Sequence, residues 1–169
     1  MPLSRKRIIY DRDGISPYMI RLHLIFREKS DHLERNVRVP FNAYLHKILM
    51  SDEPILHDHP WNWGAFIISG GYWEHTPKGT FWRGPGSFRI QKSTDLHWLE
   101  LKENKPCYTL FWHGKRLRTW GFQTDNGWVD YRTFLKNRLE SRALMLRFSL
   151  TYPFKYGSIR HNQKGRTIP

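Results

Sequence analysis

The sequence predicts one small, mainly β domain, a sandwich or barrel, that ends in a helical segment and a basic tail. Three observations point there. Turn residues arrive at short intervals through the middle of the chain and bracket runs rich in β-branched and aromatic residues. At 169 residues the chain is long enough for one domain with a real core and too short to suggest two. No internal repeat or low-complexity tract is present, which sets repeat architectures aside.

Taken in order, residues 1–17 form a basic N-terminal segment, followed by a β-domain over 18–128. "YMIRLHLIF" alternates as a strand does, and Lys29 to Arg38 is a charged connection. After Pro40, "NAYLHKILM" places Tyr44, His46, Ile48 and Met50 on one face and Leu45, Lys47 and Leu49 on the other. Short strands are then expected at "ILHDH", "GAFIIS", "YWEHT", "FWR", "SFRIQK", "LHWLEL", "CYTLFWH" and "RTWGFQT", most of them closed by turns that contain Gly or Pro. After Trp128 the apolar spacing lengthens: Phe134, Leu135, Leu139, Leu144, Met145 and Phe148 recur at helical intervals, predicting a helical extension over 129–152. Residues 153–169 contain no acid, have no periodicity and form a basic tail.

Composition narrows the function classes. The formal net charge is +13, and its placement is uneven: from Asp130 onward there are nine Lys or Arg against two acids. The two ends therefore carry a positive field that would attract a polyanion such as nucleic acid, or merely aid solubility. No apolar run approaches the roughly 18 residues of a spanning helix, so no membrane partner is expected. No signal peptide is readable, and cytoplasmic residence follows as the default. The single cysteine, Cys107, permits no internal disulfide and no cysteine-based zinc site.

His57 and His59 stand two residues apart, which on a strand points both rings to one side. Neutral imidazole is the commonest protein ligand for a metal, so this pair is a candidate metal site. Spacing adds to it: Gly71 follows at a turn, and Gly86 precedes His97 by ten intervening residues. Over Ile55 to Leu101 this pattern resembles the cupin superfamily, whose first motif carries HxH and whose second carries a further histidine. The resemblance implies a double-stranded β-helix barrel, or jelly roll, with His57, His59 and His97 as metal ligands. Cupin-like proteins of bacteriophage and bacterial genomes are similar over the wider strings HDHPW, GGY and WGF.

Where cupins usually carry a glutamate ligand this chain has Gly64, so the resemblance implies a three-histidine site with a position opened by Gly64. That resembles the thiol dioxygenase branch and implies an Fe(II) oxygenase acting on a small chelating substrate, with a nucleotide-related substrate as the alternative. Zn, Mn or Ni are the alternative ions, and zinc would suit hydrolysis. The competing reading is a non-catalytic accessory module that binds nucleic acid through its basic ends, and either form could be a homodimer. Tyr44 and His46 share a face and could bond to substrate, and Arg89 is a candidate anchor for its carboxylate or phosphate. Glu74 shares a face with Tyr72 and is expected to face solvent, with metal ligation as the alternative. Trp61 and Trp63 could wall the site, and Lys115, Arg116 and Arg118 could contact phosphate.

Overall fold

The computed structural model describes residues 5–11, 13–26, 40–138 and 140. Eleven strands are seen among them: β1 (Lys6–Tyr10), β2 (Pro17–His23), β3 (Phe41–Ile48), β4 (Trp61–Ser69), β5 (Tyr72–Thr76), β6 (Gly79–Arg83), β7 (Phe88–Gln91), β8 (Trp98–Leu101), β9 (Cys107–Arg116), β10 (Gly121–Thr124) and β11 (Gly127–Asp130). They form a six-stranded sheet in the order β1-β2-β3-β9-β4-β7, a three-stranded sheet β6-β5-β8 and the hairpin β10-β11. All pairings are antiparallel. The mainly β, jelly-roll barrel expected from the sequence is the architecture found.

Alternation explains which side chains meet inside. Arg21 pairs with His46, His46 with Thr109, and Thr109 with Ile67, so one row on the inner face is polar across β2, β3 and β9 and apolar where it reaches β4. The next row holds His23, Tyr44, Phe111 and Ala65. Ile48, Ile67, Tyr72, Leu101 and Cys107 form the apolar core, with Met19 and Leu99 packed against it. On the opposite face of the large sheet, Leu22, Leu45, Leu110, Phe66 and Phe88 stand in register. Gly70 turns the chain from β4 into β5 at φ +77°, and a Cβ there would lie 2.4 Å from the Pro106 carbonyl oxygen.

Several boundaries differ from those read in the sequence. Lys6–Tyr10, placed outside the β-domain, forms the edge strand β1, because Ile8 and Ile9 pair with Ile20 and Met19. "ILHDH" is not a strand: Pro54 and Pro60 flank it and cannot donate to a ladder, so only two isolated bridges form at His57, to His97 and to Phe122. Val129 and Asp130, read as the start of the helical extension, instead complete β11 (Gly127–Asp130), since the Asp125-Asn126 turn folds it back on β10. Helix α1 runs over 131–138, and residue 140 is again helical. The connection Lys29 to Arg38, the rest of the helical extension and the tail 153–169 lie outside the described residues. By internal contacts the chain divides into Met1–Phe134 and Leu135–Pro169, and everything below concerns the first unit. Among the described residues no helix is long and apolar enough to cross a membrane.

Candidate metal centre

The site is built on the segment between β3 and β4. His57 N–H donates to the His97 carbonyl (2.9 Å) and His97 N–H donates back to that of His57 (3.0 Å). On its other side the segment pairs with β10, where Gln123 N–H donates to the Leu56 carbonyl at 2.8 Å. His59 N–H donates to the Ser93 carbonyl at 3.1 Å. Each ligand candidate is thus held by backbone before any side-chain contact is made.

The rings converge. His57, His59 and His97 each offer a nitrogen, and these atoms all lie within 4.8 Å of one another. His59 Nε2 and His97 Nε2 are 2.9 Å apart. That separation can be spanned by a cation whose bonds to imidazole are about 2.0–2.1 Å long. Burial pushes His57 down to about 4 against the opposing pull of Asp52. Burial likewise holds His59 well below the ordinary imidazole range, with the neighbouring His97 and His57 acting in the same sense. Neutral rings with available lone pairs are what a metal requires.

Glu74 supplies the feature the sequence reading missed. Its side chain is 0% exposed, so the expectation of a solvent-facing carboxylate is wrong. Oε1 lies 3.3 Å from His97 Nδ1. Arg83 Nε donates to Oε2 at 2.8 Å, and Arg89 Nη2 stands 3.1 Å from it. Burial alone would raise this carboxyl; the His97 contact, Arg83 and Arg89 outweigh that and hold it at about 2. An ionised carboxylate only accepts, so His97 donates through Nδ1 and leaves the Nε2 lone pair facing His59. Glu74 is therefore set behind a ligand candidate, orienting it. Alternation in β5 was the signal, because it turns Tyr72 and Glu74 inward together and leaves Trp73 outside.

Asp58, between the two histidines, points the other way and is 2% exposed. It accepts from Gly121 N–H at 2.7 Å and Trp128 Nε1 at 2.9 Å, and it pairs with Arg118. Arg118 also stacks over the Trp128 ring, 5.2 Å from its centroid. HDHPW and WGF, separate in sequence, are thereby fastened together. Arg118 is committed to this carboxylate, which corrects its reading as a phosphate contact.

The remaining candidates are dispersed around the trio. Tyr44 is fully buried, and its hydroxyl bonds to His113 Nε2 at 2.9 Å. His113 Nδ1 donates to the Gly114 carbonyl at 2.7 Å, so Nε2 is the acceptor and the Tyr44 proton is spoken for. His46 lines a cavity of about 320 Å³ that also contains the trio. Arg89 does not line it; the carboxylate it faces is the protein's own Glu74. Gly64 opens nothing at the metal: Trp63 and Ala65 line the cavity, Gly64 faces the other side, and a Cβ there would lie 2.2 Å from Trp112 Cζ2. Trp61 and Trp63 do wall the site, with ring centroids 6.4 and 5.2 Å from His59. Unforeseen lining residues are Arg21, Asp52 and Trp120.

No family model matches the sequence, and no curated protein does. Solved structures do match. A cupin-2 domain protein from Rhodospirillum rubrum superposes with a TM-score of 0.55 at 9% identity over 75% of this chain and 80% of that one. An RmlC-like cupin from Ralstonia eutropha gives 0.47 at 11% identity, covering 88% and 84%. Ectoine synthase from P. lautus gives 0.43 at 14% identity, covering 66% and 75%. The jelly-roll barrel that carries the histidine trio of this chain is the cupin fold.

Proposed function

We propose that this protein is a metal-dependent cupin enzyme, an Fe(II) oxygenase of three-histidine type acting on a small chelating substrate. One observation carries the reading: three imidazoles from two separate segments converge, within 4.8 Å, in the wall of a cavity large enough for a small molecule. His57, His59 and His97 would hold the ion, and Glu74 keeps His97 in the tautomer that can bind it. Ferrous iron there would supply redox chemistry, with positions left for substrate and dioxygen because the protein provides only three ligands. Trp61, Trp63 and Trp120 restrict water around the reacting centre. His46 stands in the same cavity as an acceptor or donor toward substrate; burial, then Arg21, holds it well below the ordinary imidazole range and therefore neutral.

The test is metal content and oxygen uptake of freshly purified protein, with His57→Ala and His97→Ala as controls. Iron near one equivalent and oxygen consumption, both lost in the variants while the β-sheet circular dichroism is kept, is the expected result. Equal metal content in wild type and both variants would remove the site. Tight, salt-sensitive DNA binding by a metal-free chain would favour the accessory module acting through its basic ends.

A further inference from the structure

The outer face of the large sheet takes no part in the histidine site. Strand alternation turns Leu22, Leu45, Leu110, Phe66 and Phe88 onto it as one row across β2, β3, β9, β4 and β7. The rows on either side add Tyr108, in register with Lys47, and Ile90, in register with Gly64. These side chains are open to solvent: Leu22, Leu45 and Phe66 are 36–38% exposed, Tyr108 is 41%, Phe88 60% and Ile90 70%. The centre of the face is level. Gly64 has no side chain there, and the Trp112 indole lies over it, so that a Cβ on Gly64 would stand 2.2 Å from Cζ2. Phe88 packs beside that indole with ring centroids 5.4 Å apart. Gly64, which opens nothing at the trio, thus lets an aromatic ring lie down on the sheet instead of standing up from it.

Size and charge identify the occupant. A large aromatic side chain presents roughly 150–250 Å². At these exposures, with Ile8 and Ile68 at the margin 40% and 48% exposed, the face offers apolar area on the order of 700 Å². The largest apolar patch on a typical monomer is about 300–600 Å², whereas each partner in a stable complex buries about 800 Å². The chain carries a net charge of +13, yet among the described residues the charged groups in register with these three rows are Lys6 and Lys47. Lys47 holds its ammonium over the Tyr108 ring, 5.5 Å from the centroid. An acidic partner would find almost nothing here to pair with. Two copies of so basic a chain repel one another elsewhere and can approach on this face. The complement it needs is equally level, apolar and poor in charge, and the chain itself has one.

We infer that two copies of this chain pack these outer faces against each other about a two-fold axis. Sheets stacked in this way lie about 10 Å apart with their strands within about 30° of one another, and the facing side chains interdigitate. The same patch serves both copies, so the contact closes as a dimer and does not propagate as a filament. The histidine trio belongs to the inner side of the barrel, so the pairing stands whether or not an ion is held.

The experiment measures the mass of the full chain in solution, by light scattering and sedimentation across micromolar concentrations, after nuclease treatment. Twice the 20.4 kDa of one chain is expected, retained in molar sodium chloride because apolar association is not screened. Phe88→Glu and Ile90→Glu should each weaken the association about 30-fold or more while the circular dichroism stays that of wild type. Ile90 is the more exposed of the two, so Ile90→Glu carries the expectation alone if Phe88→Glu fails to fold. Trp73→Glu, at a position 42% exposed on the outer side of the three-stranded sheet, is the control and should remain dimeric. A monomer at every concentration overturns the inference, and so does a dimer untouched by both substitutions or broken equally by Trp73→Glu. A dimer that dissolves in high salt also overturns it, because a polyanion bridging the basic ends then holds the copies together.

Discussion

Replacing Asp58 by Asn should loosen the segment that carries two of the three histidines proposed to hold the metal. The Asp58 carboxylate, 2% exposed, gathers Gly121 N–H, Trp128 Nε1–H and the Arg118 guanidinium. Asn keeps one acceptor oxygen and turns an NH₂ toward donors, so one neutral bond survives while the charge-assisted bond is lost. Breaking a buried pair from one side costs about 3–5 kcal/mol. The Arg118 side chain is 31% exposed and can recover water, which puts the expected loss near the lower end, about 3 kcal/mol. For a chain of this size that corresponds to a fall in Tm of about 6–12 °C. Metal affinity should fall by about 10–100-fold, as it does when groups that orient ligands are removed. Thermal unfolding followed by circular dichroism and chelator competition give the two readouts. A Tm shift below about 2 °C together with unchanged competition would refute the reasoning.

Other perturbations separate neighbouring roles. Glu74→Gln should also weaken metal binding about 10–100-fold. Glu74 is held at about 2 against an ordinary 4.5, so its contribution to the metal-free fold is complete above pH 4.5 and disappears as pH falls through about 2. The urea midpoints of wild type and Glu74→Gln should therefore converge over that interval, and a constant gap down to pH 2 would contradict the ion-pair account. Gly64→Ala forces a Cβ to within 2.2 Å of Trp112 and should cost about 1–3 kcal/mol while metal content stays the same. Loss of metal with unchanged stability would instead return Gly64 to the site. Cys107 is 0% exposed, and burial pushes its thiol up to about 11. It should resist thiol-specific colorimetric reagents at pH 8 until the chain is unfolded, and rapid labelling of the native protein would show the strand end to be open.

Local pattern made much of this legible in advance. The turns at Gly70-Gly71, Pro77 to Gly79 and Asp125 to Gly127 set the strand rhythm, and β5 at Tyr72–Thr76 coincides with the run read for it. The histidine trio was legible because two members are two residues apart and the third follows a glycine turn. What escaped was mostly contact across sequence. Arg21 acquires meaning only when β2 pairs with β3 and brings it to His46, 25 positions away. Glu74 passed for a surface residue because its compensating charges, Arg83 and Arg89, come from β6 and β7. Arg89 passed for a substrate anchor for the same reason. Gly64 was assigned to the metal by motif position alone, whereas strand alternation between Trp63 and Ala65 already turned it away.

The reciprocal main-chain pair between His57 and His97 has a thermodynamic consequence. Two imidazoles from distant stretches of chain are clasped by peptide groups, through bonds that themselves involve no ion. Folding need not wait for metal, unlike small zinc modules in which coordination supplies the folding energy. Loading should then act as ordinary ligand linkage, raising the unfolding free energy by about 2.7 kcal/mol at a free ion concentration one hundred times Kd. Stripping the ion would cost the barrel that increment and leave its architecture standing.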